Sequence, residues 1–149
     1  MMSLPGLRFH HFGLAVRDPV RALEFLGRAG YDCGRTVFDP LQKVDLNWCV
    51  RPGEPAVEVV SQLDDGPLSS VLANQGSSFY HLCYEIDMPA ESVVNGFAQT
   101  GIRIATVRPP LPAVLFGGRL VSFHVVRGFG LIELLEGASG GQTPTGEGG

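Results

Sequence analysis

Charge is scarce in this chain. Only 17% of its 149 residues are Asp, Glu, Lys or Arg, and the net charge is −4. Without a basic excess there is no electrostatic footprint for nucleic acid or for an anionic membrane surface, so neither is expected as a partner. No apolar run approaches the roughly 18 residues that a membrane-spanning helix needs. The opening Met1-Met2-Ser3-Leu4-Pro5-Gly6-Leu7-Arg8 is too short and too weakly apolar for a secretory leader. Cysteine is sparse: Cys33, Cys49 and Cys83 are an odd count with no CxxC pairing. Free thiols in a reducing compartment, and hence a cytoplasmic location, are the simple expectation.

What the chain does have is apolar content, 44% of residues, which suits one domain with much buried surface. Residues 1–137 are expected to form that domain. Residues 138–149 continue a run rich in Gly, Thr, Ser and Pro that cannot bury enough apolar surface to offset ordering entropy, so they are expected to form a disordered tail.

The most informative feature is an internal repeat. His11 sits in the alternating run Phe9-His10-His11-Phe12-Gly13-Leu14-Ala15-Val16, and His81 sits in Phe79-Tyr80-His81-Leu82-Cys83-Tyr84-Glu85-Ile86. A proline follows each His by eight residues, at Pro19 and Pro89. Each copy then passes through a helix-like segment to a Gly, and ends in a strand with Glu among apolar residues, Val57-Glu58-Val59-Val60 and Ile132-Glu133-Leu134-Leu135. Strand 8–16 is followed by a helix from Asp18-Pro19 to about Ala29, with Asp as N-cap and Pro at the first helical position. Strands then follow at 31–38, 44–50 and 55–60. After a linker at 61–77, with a short helix over 68–74, the order repeats: strand 79–86, helix to Thr100, strand 102–107, a Pro/Gly-rich loop from Arg108 to Gly118, and strands 119–126 and 130–136. The matching order argues for duplication. It predicts an α+β fold of two tandem βαβββ modules, about 8–60 and 78–136, forming a cupped mixed β-sheet with helices on the outside.

The repeat delivers two His and two Glu from equivalent places. A single strand His is usually structural, and a Glu near a strand end is usually solvated. A carboxylate inside an apolar run is expensive unless paired or bound to a metal, however, and here two such Glu recur in register with two His. If the first and last strands of each half pair side by side, His11, Glu58, His81 and Glu133 become the ligands of a divalent metal site. Two imidazoles and two carboxylates suit Zn, Co, Mn, Ni or Fe, with positions left for water or substrate. Alternation puts His10 on the opposite face from His11.

These stretches, His11-Phe12-Gly13-Leu14-Ala15-Val16, Val57-Glu58-Val59-Val60, His81-Leu82-Cys83-Tyr84-Glu85-Ile86-Asp87 and Leu131-Ile132-Glu133-Leu134-Leu135-Glu136, resemble the vicinal oxygen chelate superfamily of glyoxalases, bleomycin-resistance proteins, extradiol dioxygenases and methylmalonyl-CoA epimerases. The resemblance covers about residues 8–137, and its nearest branch is that of the epimerases. It implies the four-ligand site named above and bidentate binding of two substrate oxygens to a Lewis-acidic metal. The implied function is a metal-dependent isomerase or epimerase acting through a metal-stabilised enolate on a small carbonyl or thioester substrate, CoA- or carrier-bound. The alternatives are a glyoxalase-like lyase or cyclase of specialised metabolism, or a non-catalytic resistance-type binding protein. Such proteins also occur as homodimers, which the apolar excess favours.

The base is the open question at this point. Epimerase relatives carry a Glu just before a Gln in the third-strand region. Here Leu41 stands in that place before Gln42. Asp39 is the nearest carboxylate, but Asp before Pro is also a common turn residue; Glu133, as ligand and base together, is the other candidate. The apolar loop with Phe116 either flanks the pocket mouth or packs as a crossing segment or dimer contact. Arg119 either meets a substrate carboxylate or phosphate or is solvated. His124 is a candidate for lining the cavity, and Glu85 for a hydrogen bond near His81. Trp48, Phe123 and Tyr84 are expected in the core or the pocket wall.

Overall fold

In the computed structural model of the chain, residues 4, 6–62 and 64–137 are described. The tail expected over 138–149 lies outside them. The described residues form nine strands and three α-helices, an α+β fold with both parallel and antiparallel strand pairs. They divide into two compact units, residues 11–80 and residues up to His10 together with those from His81 onward.

In the unit of residues 11–80, β1 (Arg8–Val16) supplies its part from His11, and the helix α1 (Pro19–Arg28) follows. Asp18 caps that helix by accepting a hydrogen bond from the Val20 N–H at 3.0 Å, with Pro19 in the first turn, as the Asp-Pro pair predicts. Gly30, at φ +97°, supplies the left-handed turn that ends it. β2 (Asp32–Cys33), β3 (Val37–Asp39), β4 (Val44–Val50) and β5 (Ala56–Ser61) follow. β5 runs parallel to β1 and antiparallel to β4, giving the order β2-β4-β5-β1 with β3 also on β4. The helix α1 packs Leu26 against the sheet face that buries Val16, Cys49, Val57 and Val59. Each Val or Leu side chain among them contributes about 1.5–3 kcal/mol when fully withdrawn from water.

The single strand expected over 31–38 is broken in two. The reason is Asn47, whose side-chain amide donates to the Gly34 carbonyl (3.1 Å) and the Thr36 hydroxyl (3.0 Å) and so fills the gap between β2 and β3. The short linker helix, α2, is Ser69–Gln75.

The other unit repeats this plan. β6 (Ser78–Ile86) contributes from His81, followed by α3 (Ala90–Gln99), β7 (Ile104–Pro112), a single 3-10 turn (Val114–Phe116), β8 (Leu120–Val126) and β9 (Gly130–Glu136). β9 is parallel to β6 and antiparallel to β8, and β7 pairs with β8, giving β6-β9-β8-β7. The helix α3 packs Ala90 and Val93 against the sheet face bearing Ile86, Ile132 and Leu134. Here the sequence-based expectation of a loop from Arg108 needs correction: the strand continues through Pro109, Pro110 and Pro112. It can do so because β7 is the outer strand among the described residues. A proline without an N–H costs nothing on an open edge, and the register with β8 shifts on both sides of Arg108.

Candidate metal centre

Alternation assigns each candidate to a face. In β5, Val57 and Val59 point to α1, so Glu58 points to the opposite face. In β9, Ile132 and Leu134 point to α3, so Glu133 likewise points away from its helix. In the parallel ladders Glu58 is level with Gly13 and Glu133 with Cys83. His11 and His81 stand two residues before those partners, on the same face. Each unit therefore brings its own His and Glu together. His11 Nε2 lies 3.9 Å from Glu58 Oε1, and His81 Nε2 lies 3.6 Å from Glu133 Oε1.

All four side chains are buried, with 0% exposure for His11, 5% for Glu58, 3% for His81 and 2% for Glu133. A charge-assisted hydrogen bond between such groups would be about 2.7–2.9 Å long. Two atoms each bound about 2.1 Å from one ion stand about 3.0–4.2 Å apart at angles from 90° to 180°. Both observed separations fall in the second range. Burial pushes the His11 imidazole down to about 3, so at neutral pH it carries no charge and offers a lone pair. A neutral imidazole beside a carboxylate is the donor chemistry of a first-row divalent site, so the residues present fit such an ion.

The remaining candidates are placed as follows. Asp39 is buried and accepts from the Leu41 N–H (2.9 Å), the Gln42 N–H (3.1 Å) and the Gln42 side-chain amide (3.1 Å). It anchors the turn between β3 and β4. Leu41 is half exposed. Arg119 makes a 2.8 Å ion pair with Glu85 and donates to the Glu136 carbonyl at 2.9 Å, so its guanidinium is engaged within its own unit. Phe116 is buried and packs edge-on against His10, with ring centroids 5.3 Å apart. Trp48 contacts His11, and Phe123 contacts His81.

His124 requires a correction. It is level with Ile132 in the β8–β9 ladder and shares the helix-covered face, not the face of His81 and Glu133. There its two ring nitrogens meet the Ser122 hydroxyl at 2.8 Å and the Thr106 hydroxyl at 2.9 Å. Burial lowers its basicity. The in-phase position of Ser122 was the signal in the sequence; what alternation alone does not say is which face the pair occupies.

The thiols also differ from expectation. Cys33 and Cys49 stand directly opposite in the β2–β4 ladder and form a disulfide, while Cys83 is buried and outside that disulfide. The pairing follows from strand register, which an irregular spacing of three cysteines does not reveal. Among the described residues no helix is long and apolar enough to cross a membrane.

Comparison with known proteins gives three results. The family model of the Glyoxalase/Bleomycin resistance protein/Dioxygenase superfamily matches residues 10–123. No curated protein sequence matches the chain. Among solved structures, methylmalonyl-CoA epimerase from Mycobacterium tuberculosis is similar at 20% identity and TM-score 0.71, covering 93% of both chains. A hypothetical protein from Bacillus halodurans C-125 is similar at 19% identity and TM-score 0.73, covering 92% of this chain and 99% of that one. A Streptomyces coelicolor methylmalonyl-CoA epimerase in complex with 2-nitronate-propionyl-CoA is similar at 18% identity and TM-score 0.69, covering 90% and 99%. At these identities the likeness is one of fold.

Proposed function

We propose, for a chain that belongs to the Glyoxalase/Bleomycin resistance protein/Dioxygenase superfamily, a metal-dependent isomerase or epimerase that moves a proton next to a carbonyl. His11, Glu58, His81 and Glu133 are the ligands of one divalent ion in this reading. The observation that carries it is the recurrence of a buried, register-matched His–Glu pair in both units, at separations of 3.9 and 3.6 Å that suit shared coordination better than direct hydrogen bonding. A bound divalent ion would act as a Lewis acid toward the substrate's oxygens.

The chain's own part is to remove and return the proton. We assign this to Glu133, because Leu41 has no carboxylate and Asp39 is committed to three hydrogen bonds in its turn. A CoA or carrier-bound thioester with an acidic α-hydrogen is the proposed substrate class. The support for it is that similar folds are described with 2-nitronate-propionyl-CoA and with methylmalonyl-CoA. A homodimer is the proposed assembly, supported by large exposed side chains such as Phe25, Phe79 and Phe129.

The test has two stages. Protein purified without chelator is analysed for metal and then offered Zn, Co and Mn; a chain that takes up none refutes the reading. Metal-loaded protein is next incubated in D2O with α-substituted thioesters, and deuterium at the α-carbon is followed by NMR. Glu133→Gln is expected to lower exchange by about 10²–10⁴-fold, the usual range for a positioned base. Undiminished exchange in that variant removes Glu133 from the role.

A further inference from the structure

The two imidazoles share a feature that the ligand assignment does not use. Trp48 stands across from Glu58 in the β4–β5 ladder, and its ring meets His11 with centroids 5.1 Å apart at an interplanar angle of 81°. Phe123 stands across from Glu133 in the β8–β9 ladder, and its ring meets His81 at 5.3 Å and 83°. Each glutamate is thus flanked by a strand carrying the His on one side and a strand carrying an aromatic ring on the other. Distance, angle and register repeat although the aromatic residue itself differs.

An imidazole needs such a neighbour. Its last torsion joins a tetrahedral to a planar carbon and is broad and two-fold, so backbone placement alone leaves the ring free to turn. Edge-to-face contact is a favoured geometry for two rings, and turning the imidazole forfeits it. In both pairs the nitrogen on the glutamate side is Nε2. We propose that Trp48 and Phe123 are positioning residues for metal coordination, each holding one ligand imidazole in the orientation that presents Nε2 beside its glutamate. The inference rests on the metal-binding reading above and adds two residues to it.

The experiment compares Trp48→Leu and Phe123→Leu, which remove the ring, with Trp48→Phe and Phe123→Tyr, which keep one. Dissociation constants for Zn2+ and Co2+ are measured at pH 7.5 against a competing chelator, together with the visible spectrum of the Co2+ form. Thermal unfolding of each metal-free variant reports on the fold separately. Groups that orient metal ligands typically govern about 10–100-fold in affinity. The leucine variants should weaken binding by at least about tenfold and alter the Co2+ spectrum, and the ring-keeping variants should stay within about threefold of the parent. Trp48 is the sole tryptophan, so Co2+ should quench the parent's emission with the same midpoint as the binding curve.

Parental affinity and spectrum in the leucine variants, with metal bound normally by the parent, overturn this inference alone. Unchanged tryptophan emission on saturation with Co2+ does the same. Should a leucine variant fail to fold, the emission titration and the ring-keeping variants decide. Absence of metal uptake by the parent overturns both this inference and the functional reading.

Discussion

Taking the metal-free protein from pH 7.5 to 5.0 should expose the cost of keeping His11 buried and neutral. In the unfolded chain a histidine titrates near 6.5; in the fold, burial pushes His11 down to about 3. Between those values the unfolded state binds a proton that the folded state does not, so stability falls as pH falls. The cost is absent above about pH 6.5, grows through the window, and is complete near pH 3. A single site with these two values costs about 2 kcal/mol at pH 5, as an order of magnitude. His124 is shifted in the same direction by the same cause and adds to it. With urea m-values of about 1–3 kcal/mol/M, the unfolding midpoint in EDTA should drop by about 1 M between the two pH values. His11→Asn should remove most of that slope. Equal or greater stability of the chelated protein at pH 5, or an undiminished slope in His11→Asn, would refute the reasoning.

Two further outcomes follow from contacts within single units. Reducing the Cys33–Cys49 disulfide, which spans 16 residues of sequence, should cost about 3 kcal/mol in the loop-entropy account and lower Tm by roughly 6–12 °C; calorimetry with and without a dithiol reductant checks this, and an unchanged Tm contradicts it. Replacing Arg119 by Met strands Glu85, whose side chain is only 19% exposed. A loss of about 2 kcal/mol is expected, less than the 3–5 kcal/mol of a fully buried pair because both groups still meet solvent. Arg119→Met with Glu85→Gln should recover part of it in a double-mutant cycle on urea midpoints, and strict additivity would show that the pair is not coupled.

Much of the molecule was legible in its sequence for identifiable reasons. Glu58 and Glu133 stand out because a carboxylate among Val, Ile and Leu needs a partner, and the repeat ties each to a His. The parallel β1–β5 and β6–β9 ladders then follow from the requirement that His and Glu meet. What stayed hidden depends on register between strands distant in sequence. Cys33 meets Cys49, Asn47 reaches back to Gly34 and Thr36, and β7 passes through three prolines because, among the described residues, only one of its sides is paired. His124 was misplaced for a related reason: period-two alternation says which residues share a face but not which face is covered by the helix.

Comparison of the two units position by position separates what a metal site constrains from what the scaffold leaves open. On the face with the glutamates the halves agree in kind: His11 with His81, Glu58 with Glu133, Trp48 with Phe123. One residue further along β4 and β8 the chain reaches the helix-covered face, and there the halves diverge. Cys49 is bonded to Cys33 on β2, while His124 is hydrogen-bonded to Thr106 on β7. Each pair stands directly opposite in its ladder, Cys33 with Cys49 and Thr106 with His124. The same task, tying an outer strand to its neighbour beneath the helix, is met covalently in one half and in the other by a side-chain hydrogen bond, an interaction that typically contributes about 1 kcal/mol. Coordination restricts ligand type and geometry, whereas fastening a strand requires only cohesion. A reductant should therefore loosen β2 from β4 and leave β7 on β8 untouched, a difference that hydrogen exchange at the amides of these strands would read directly.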